Sequence, residues 1–120
     1  RGYLTIVNRY ALEGEMVVLN VDYRLAPEHK APLGVLDAYA AVKFAHQYAD
    51  DLGIDKTRIG IMGDSGGGYI TTAVGMILAQ TNESHLVRFQ LPLIPQTSNV
   101  FLREKKDYFT PMEQTMIRPM

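Results

Sequence analysis

The spacing of hydrophobic residues among polar ones changes several times along this chain, which predicts an alternation of helices and strands. Apolar residues spaced by three and four over residues 3–11 predict a helix, and Gly14 is well placed to end it. A continuous, mostly apolar run at 16–21 predicts a strand that is covered on both faces. Residues 22–32 contain two prolines and many charged side chains, which predicts an irregular loop.

Helices and strands are also predicted to alternate further along the chain. A helix is predicted over 33–51, with Gly53 as its stop, followed by a strand over 58–62, a helix over 66–80 and a strand over 86–94. The first of these helices is predicted to bury Val35, Leu36, Tyr39, Ala40, Phe44 and Tyr48. The second is predicted to bury Ile70, Ala73, Val74, Ile77 and Leu78. Strands that alternate with helices predict an α/β fold with a mostly parallel sheet.

Residues 63–67 read Gly-Asp-Ser-Gly-Gly and fit the pattern G-x-S-x-G, a tight strand-to-helix turn that exposes a serine oxygen. We expect Ser65 to have a strained backbone, and Gly63 and Gly67 to let strand and helix approach where a Cβ would collide. The N–H groups that open the following helix suit an oxyanion. A surface loop or a phosphate-binding loop is the alternative for the pentapeptide alone. The predicted strand and helix around it favour a nucleophile, and the helix disfavours a chymotrypsin-like β-barrel.

Composition narrows the class of protein and of partner. The chain has 120 residues, 47% of them hydrophobic, and a net charge of -1, which describes one globular unit with no electrostatic reason to bind nucleic acid. The absence of cysteine excludes disulfides and thiolate metal sites, and no metal or cofactor is expected. No apolar run approaches the length of a membrane span. The chain begins at Arg1, so we expect an internal segment of a longer protein. Its oligomeric state stays open, and its compartment is open with the cytoplasm slightly favoured.

Two segments together resemble a known family. Residues 21–29 read Val-Asp-Tyr-Arg-Leu-Ala-Pro-Glu-His, Pro32 follows, and residues 63–68 read Gly-Asp-Ser-Gly-Gly-Gly. This combination resembles the hormone-sensitive-lipase branch of the α/β-hydrolase fold, over about residues 17–95. The resemblance implies a partial three-layer α/β/α sandwich in which residues 1–120 are the central part of one domain, with a cap segment from about residue 103.

The resemblance also implies a function. It implies a carboxylic-ester hydrolase that acts on a small-molecule ester, with Ser65 as the nucleophile and the Gly66 N–H as one oxyanion donor. Gly66 stands where the family commonly has alanine, and its N–H is kept. A His-Gly-Gly-Gly segment and the acid and histidine of the triad are expected outside this sequence. A non-catalytic ligand-binding receptor on the same fold is the alternative function.

The histidines within the sequence are poor candidates for the missing base. His85 follows Ser65, but a helix of roughly 16 residues spans about 24 Å and separates the two. A general base must come within about 3 Å of its nucleophile. We therefore expect His85 and His46 to be surface residues. His29 is harder to dismiss, because its loop borders the ends of the strands.

Four other polar residues near the motifs are predicted to support the structure. Arg24 and Glu28 are predicted to form an ion pair that holds the irregular loop. Tyr23 ends a strand near the site, where a buried hydrogen bond is favoured over a place in the pocket wall. Asp64 adjoins the nucleophile, so its side chain diverges from that of Ser65. We expect it to bond the nearby backbone or the 22–32 loop.

The resemblance has a consequence for the sheet itself. In α/β-hydrolases another strand lies between those that match residues 16–21 and 58–62, and this sequence does not contain it. We expect a gap in the sheet or a pairing of non-neighbours, with apolar residues exposed in either case. Residues 1–120 alone are therefore expected to be poorly soluble or partly unfolded, and inactive.

Overall fold

The computed structural model describes residues 2–96, so the cap segment predicted from about residue 103 lies outside the described residues. The helices and strands in chain order are α1 (Gly2–Glu13), α2 (Leu33–Gln47), the single turn α3 (Ala49–Leu52), β1 (Gly60–Asp64), α4 (Gly66–Gln80) and β2 (Phe89–Leu93). Short 3₁₀ turns at Lys56–Arg58 and Ser84–Leu86 precede the two strands. The α/β class and most of the predicted element order are confirmed.

β1 and β2 form a parallel pair, in register from Gly60 opposite Phe89 to Asp64 opposite Leu93. Both strands begin later than predicted, because the 3₁₀ turns occupy residues that the apolar pattern had assigned to them. Asp55 stabilises the first of these turns, since its carboxylate accepts a hydrogen bond from the Thr57 N–H at 2.8 Å.

The core lies between α2, α4 and the strand pair. Its buried residues are Val35, Val42, Val74, Leu78 and Leu86. The predicted stripe of α4 is confirmed, because Val74 and Leu78 are each 1% exposed and the other predicted residues pack against the cluster. α4 therefore holds the strand pair and α2 together.

The predicted buried face of α2 is confirmed at Val35, which is buried, and at Tyr39, which packs against the core. It is wrong at four exposed residues, which are Leu36, Ala40, Phe44 and Tyr48. The prediction includes the largest apolar side chains, whereas the helical segment buries the smaller Val42, Ala45 and Ala49.

Tyr39, Lys43 and Thr81 converge on the Glu83 carboxylate and fasten α2 to the turn that follows α4. The Tyr39 and Thr81 hydroxyls donate to Oε2, and the Lys43 Nζ lies 2.9 Å from Oε1. These donors favour the ionised form, so the hydrogen bond from Tyr39 and those from Lys43 and Thr81 lower the pKa of Glu83 to about 2.

The predicted strand at 16–21 is wrong for the described structure. This segment has no strand assignment, Val17 is 59% exposed, and Met16 and Leu19 are also exposed. A strand needs a neighbour that accepts and donates its ladder hydrogen bonds, and β1 and β2 are the sheet found within residues 2–96. The expected exposure of apolar residues is thus confirmed at Met16, Val17 and Leu19, whereas the expected gap in the sheet stays a prediction.

The first helix forms as predicted and ends where Gly14 donates its N–H to the Tyr10 carbonyl at 2.9 Å. Its apolar side chains, however, are mostly exposed, including Ile6 and Leu12. Within the part of the chain that the structure describes, no helix combines the length and hydropathy needed to cross a membrane.

Candidate active site

Ser65 lies at the sharp turn between β1 and α4, where the sequence predicts it. Its φ of 51° and ψ of -113° place a non-glycine residue in a sparsely populated region of backbone space. The Ser65 N–H donates to the Leu93 carbonyl at 3.0 Å, and the Tyr69 N–H donates to the Ser65 carbonyl at 3.0 Å. Strand β2 and the first turn of α4 therefore hold the strained residue, whose side chain is exposed.

The two glycines of the motif have different environments. A Cβ on Gly63 would overlap the backbone of Gly67, so only glycine fits at the end of β1. A Cβ on Gly67 itself would meet nothing within 4 Å among the described residues. The prediction of a collision is therefore confirmed at Gly63 and wrong at Gly67. Gly67 takes part through its backbone, which lies against Gly63.

Gly68 is the packing residue that the sequence reasoning missed. A Cβ there would lie 2.8 Å from the Leu93 carbonyl oxygen and 3.0 Å from the Pro95 Cα. The residue is buried against the end of β2. The sequence signal for this position is the run Gly-Gly-Gly, of which Gly68 is the third residue. The five-residue motif does not include it, because Gly68 lies one residue beyond the motif.

Gly66 begins α4, so its N–H belongs to the first turn, in which backbone N–H groups have no partner within the helix. Together with the positive end of the helix dipole, this N–H is suited to an oxyanion beside Ser65. A Cβ on Gly66 would lie 4.0 Å from the Tyr23 hydroxyl oxygen, which is ordinary contact distance. Alanine, which the family commonly has here, therefore fits without displacing the backbone.

The loop at 22–32 is fastened by Arg24, but the partner is Asp37 on α2 and not Glu28. The Arg24 Nη2 lies 2.6 Å from the Asp37 Oδ1, and the Arg24 Nε and backbone N–H also donate to this carboxylate at 2.9–3.1 Å. The predicted ion pair with Glu28 is therefore wrong, because the Arg24 guanidinium and backbone N–H are both directed at the Asp37 carboxylate. This loop consists of turns, so Glu28 stays exposed.

Hydrogen bonds from Arg24 stabilise the charged form of Asp37. The guanidinium contributes most and the backbone N–H adds to it, and together they lower the pKa of Asp37 to about 2. The pKa of Arg24 is correspondingly raised by its hydrogen bond to Asp37. Both groups therefore carry full charge at neutral pH, and the loop is fixed on α2.

The fixed loop and the start of α4 enclose a hollow of about 280 Å³. Gly66, Tyr69 and Ile70 contribute from the helix, and Tyr23 and His29 from the loop. Tyr23 is thus a half-buried part of the wall of the hollow, whereas the sequence favours a buried hydrogen bond at this position. Asp64 lies half-buried at the end of β1, and its predicted hydrogen bonds stay a prediction.

His85 is exposed at the far end of α4, as expected, and His46, at the end of α2, is half-buried beside it. The rings of His46 and His85 meet edge to face, with centroids 6.1 Å apart. His85 belongs to the 3₁₀ turn that follows α4, whereas Ser65 precedes that helix. Within residues 2–96, no group of three or more histidine, aspartate or glutamate side chains is arranged to hold a metal ion.

Comparison with known families gives a direct result. A family model described as alpha/beta hydrolase fold matches residues 3–118. The chain belongs to the α/β-hydrolase family. The chain also resembles individual esterases, which confirms the predicted resemblance to the carboxylesterases of the hormone-sensitive-lipase branch.

Two curated relatives and one solved structure show the extent of the similarity. The carboxylesterase NlhH of Mycobacterium tuberculosis is 38% identical over 92 residues, which cover 77% of this chain and 28% of NlhH. An arylesterase of Saccharolobus solfataricus is 40% identical over 100 residues, which cover 79% of this chain and 32% of the arylesterase. The structure of a hyperthermophilic esterase from the archaeon Pyrobaculum calidifontis matches with a TM-score of 0.75 and 39% identity, over 78% of this chain and 29% of that esterase. The chain therefore spans less than a third of the length of each of these proteins.

Proposed function

We propose that Ser65 is the nucleophile of a carboxylic-ester hydrolase and that residues 1–120 form the central part of its single catalytic domain. The observation that carries this proposal is the strained backbone of Ser65 at the β1–α4 turn. A strained conformation persists only where surrounding structure enforces it, and such residues cluster at active sites. The carboxylesterases among the relatives support the reaction class.

In the proposed reaction, the Ser65 Oγ attacks the carbonyl carbon of the ester while a base takes the hydroxyl proton. The carbonyl oxygen becomes an oxyanion, and the Gly66 N–H is proposed to donate to it; the position of Gly66 at the start of α4 supports this role. The bond from the carbonyl carbon to the alcohol oxygen then breaks, and the alcohol leaves with that proton. Water attacks the acyl group on Ser65, which releases the carboxylic acid and restores the hydroxyl.

The base and the acid that orients it are proposed to follow Ser65 in the chain, in the order that this fold uses. They are proposed to lie outside this sequence. His46 and His85 lie at the other end of α4, and His29, although it lines the hollow beside Gly66, precedes Ser65 in the chain and does not fit that order. No metal or cofactor is part of this proposal, because serine acyl transfer needs neither. The hollow beside Gly66 is lined mainly by apolar and aromatic side chains, which suits the apolar part of a small ester.

The full-length protein with Ser65→Ala tests the proposal. We expect the rate of hydrolysis of p-nitrophenyl butyrate to fall by about 10⁴-fold or more, as on removal of a serine nucleophile. Thr5→Ala is the matched control, because it removes an exposed hydroxyl of α1 outside the hollow and should leave the rate unchanged. A Ser65→Ala variant that keeps a tenth or more of the activity would exclude Ser65 as the nucleophile.

A further inference from the structure

A second hollow lies at the opposite end of the β1–β2 pair from Ser65, and it has a volume of about 480 Å³. The polar side chains that line it are His46, Lys56, Thr57, Ser84, His85 and Arg88. They come from the end of α2 and from the segments that precede β1 and β2. Five strand residues at about 3.3 Å each place this hollow on the order of 16 Å from the candidate active site.

The lining of this hollow is positively charged. Lys56 and Arg88 carry permanent charge at neutral pH, the two imidazoles add ring N–H donors, and Thr57 and Ser84 add hydroxyls. The described lining contains no acidic residue. Two acids adjoin the lining in the chain, Asp55 and Glu83. The Asp55 Oδ1 accepts hydrogen bonds from the Thr57 N–H and hydroxyl, and the Glu83 carboxylate is engaged by Tyr39, Lys43 and Thr81.

The backbone that carries these side chains is fixed by hydrogen bonds. The Arg88 N–H donates to the Ile59 carbonyl at 2.7 Å, which joins the segments before β1 and β2. The Leu86 N–H donates to the Glu83 carbonyl at 2.9 Å, and Glu83 is itself fastened to α2 through Lys43. The donors are therefore held near one another before any ligand arrives, which lowers the entropy lost on binding.

We propose that this hollow binds a phosphate group. A guanidinium binds phosphate oxygens through paired N–H groups, and an ammonium adds a point charge. A phosphate group carries about −1.5 to −2 charge at pH 7 and offers three or more acceptor oxygens. It therefore matches an ammonium and a guanidinium with imidazole and hydroxyl donors around them. A divalent cation between His46 and His85 is disfavoured, because Lys56 and Arg88 line the same space.

The ligand is either inorganic phosphate or the phosphate of an organic monoester, and calorimetric titration of the full-length protein distinguishes them. Inorganic phosphate and phenyl phosphate are titrated at pH 7, with sodium chloride holding the ionic strength constant. We expect saturable binding with a Kd on the order of 1 mM for at least one of them. A tenfold preference for phenyl phosphate identifies a monoester site, and the opposite preference or equal affinity identifies inorganic phosphate.

Charge variants locate the site. Lys56→Ala and Arg88→Ala should each weaken binding by about two- to fivefold, as expected for exposed ion pairs. Lys30→Ala makes the same change of net charge outside this hollow and should leave the Kd unchanged. Asp55→Asn keeps the capping oxygen, removes the nearby negative charge and should tighten binding.

Histidine resonances give a second measurement that does not depend on the variants. The Cε1–H signals of His46 and His85 should shift with phosphate, whereas that of His29, at the other end of the sheet pair, should not. The proposal is overturned if neither phosphate binds above the chloride control, or if Lys30→Ala weakens binding as much as Lys56→Ala. It is equally overturned if Zn²⁺ shifts both resonances and phosphate shifts neither.

Discussion

The two ends of the described chain contrast in how their structure is held. In the elbow region (β1, Ser65, α4 and β2), every element packs on another, and buried Val74 and Leu78 lie beneath the strand pair. In the N-terminal region (α1 and residues 16–21), the apolar side chains are largely exposed and the apolar run has no sheet neighbour within residues 2–96. Both regions are rich in apolar residues, so hydrophobicity alone does not explain the difference.

The difference lies in where the partners of each segment are found in the sequence. The strand, turn, helix and strand of the elbow region are consecutive, so the contacts that fix Ser65 come from residues 60–95. Residues 16–21 need the ladder of a neighbouring strand, which neither β1 nor β2 supplies. The elements that hold the candidate nucleophile are thus consecutive in the chain and all present, including Leu93 of β2, whereas residues 16–21 have no ladder partner in β1 or β2.

Hydrogen exchange of residues 1–120 expressed alone tests this contrast, with the largest effect that we expect. Amides of α4 should exchange about 10²-fold or more slowly than those of residues 16–21, because only the former are covered by packed structure. In the full-length protein, protection of residues 16–21 should rise towards that of α4. Equal protection of the two segments in residues 1–120 would contradict the comparison.

A pair of glycine substitutions sharpens the account of the elbow. Gly63→Ala should lower the free energy of unfolding by about 1–3 kcal/mol, because the new Cβ overlaps the Gly67 backbone. Gly67→Ala is the matched control. It should stay within about 1 kcal/mol of the starting protein, on the stabilising side, because alanine favours a helix and no described atom opposes its Cβ. Urea unfolding of the full-length variants measures both, and equal losses would refute the asymmetry.

A smaller effect, on stability at low pH, is expected from two carboxylates. Asp37 joins α2 to the 22–32 loop, and Glu83 joins α2 to the turn after α4. The folded-state pKa values of Asp37 and Glu83 are both lowered to about 2, so their stabilising contribution is complete above the usual carboxyl pKa. It should be lost as the pH falls from about 4.5 to 2. Urea midpoints of the full-length protein across this range should decline, and Asp37→Asn should flatten part of the decline. Asp51→Asn, an exposed aspartate of α3, is the control and should leave the slope unchanged; a flat profile in the starting protein would contradict the assignment.

Much of the fold and the position of Ser65 can be predicted from the sequence, because they depend on short-range patterns. Three such patterns are the change from strand to helical spacing, Gly63 in the motif and Gly53 at the end of a helix. Each of them determines the structure of residues close to it in the sequence. Gly53 illustrates this, since its φ of 67° closes α3 as a glycine readily does.

The errors arise where a residue finds its partner far along the chain. Arg24 binds an acid 13 residues away, and only the turn of the loop onto α2 brings the two together. The face that α2 buries depends on how closely α4 approaches, which helical period alone does not specify. Gly68 is required by the end of β2, which the five-residue motif does not include.

The most direct test of the proposed nucleophile is covalent labelling of the full-length protein by a fluorophosphonate, with the modified residue located by mass spectrometry of its peptides. Such a probe reacts with an activated serine, and exposure alone does not activate a hydroxyl. We predict stoichiometric labelling of Ser65, none in Ser65→Ala, and none at the exposed Ser84. An active, full-length esterase that is labelled at another serine, or not at all, would contradict the assignment of Ser65.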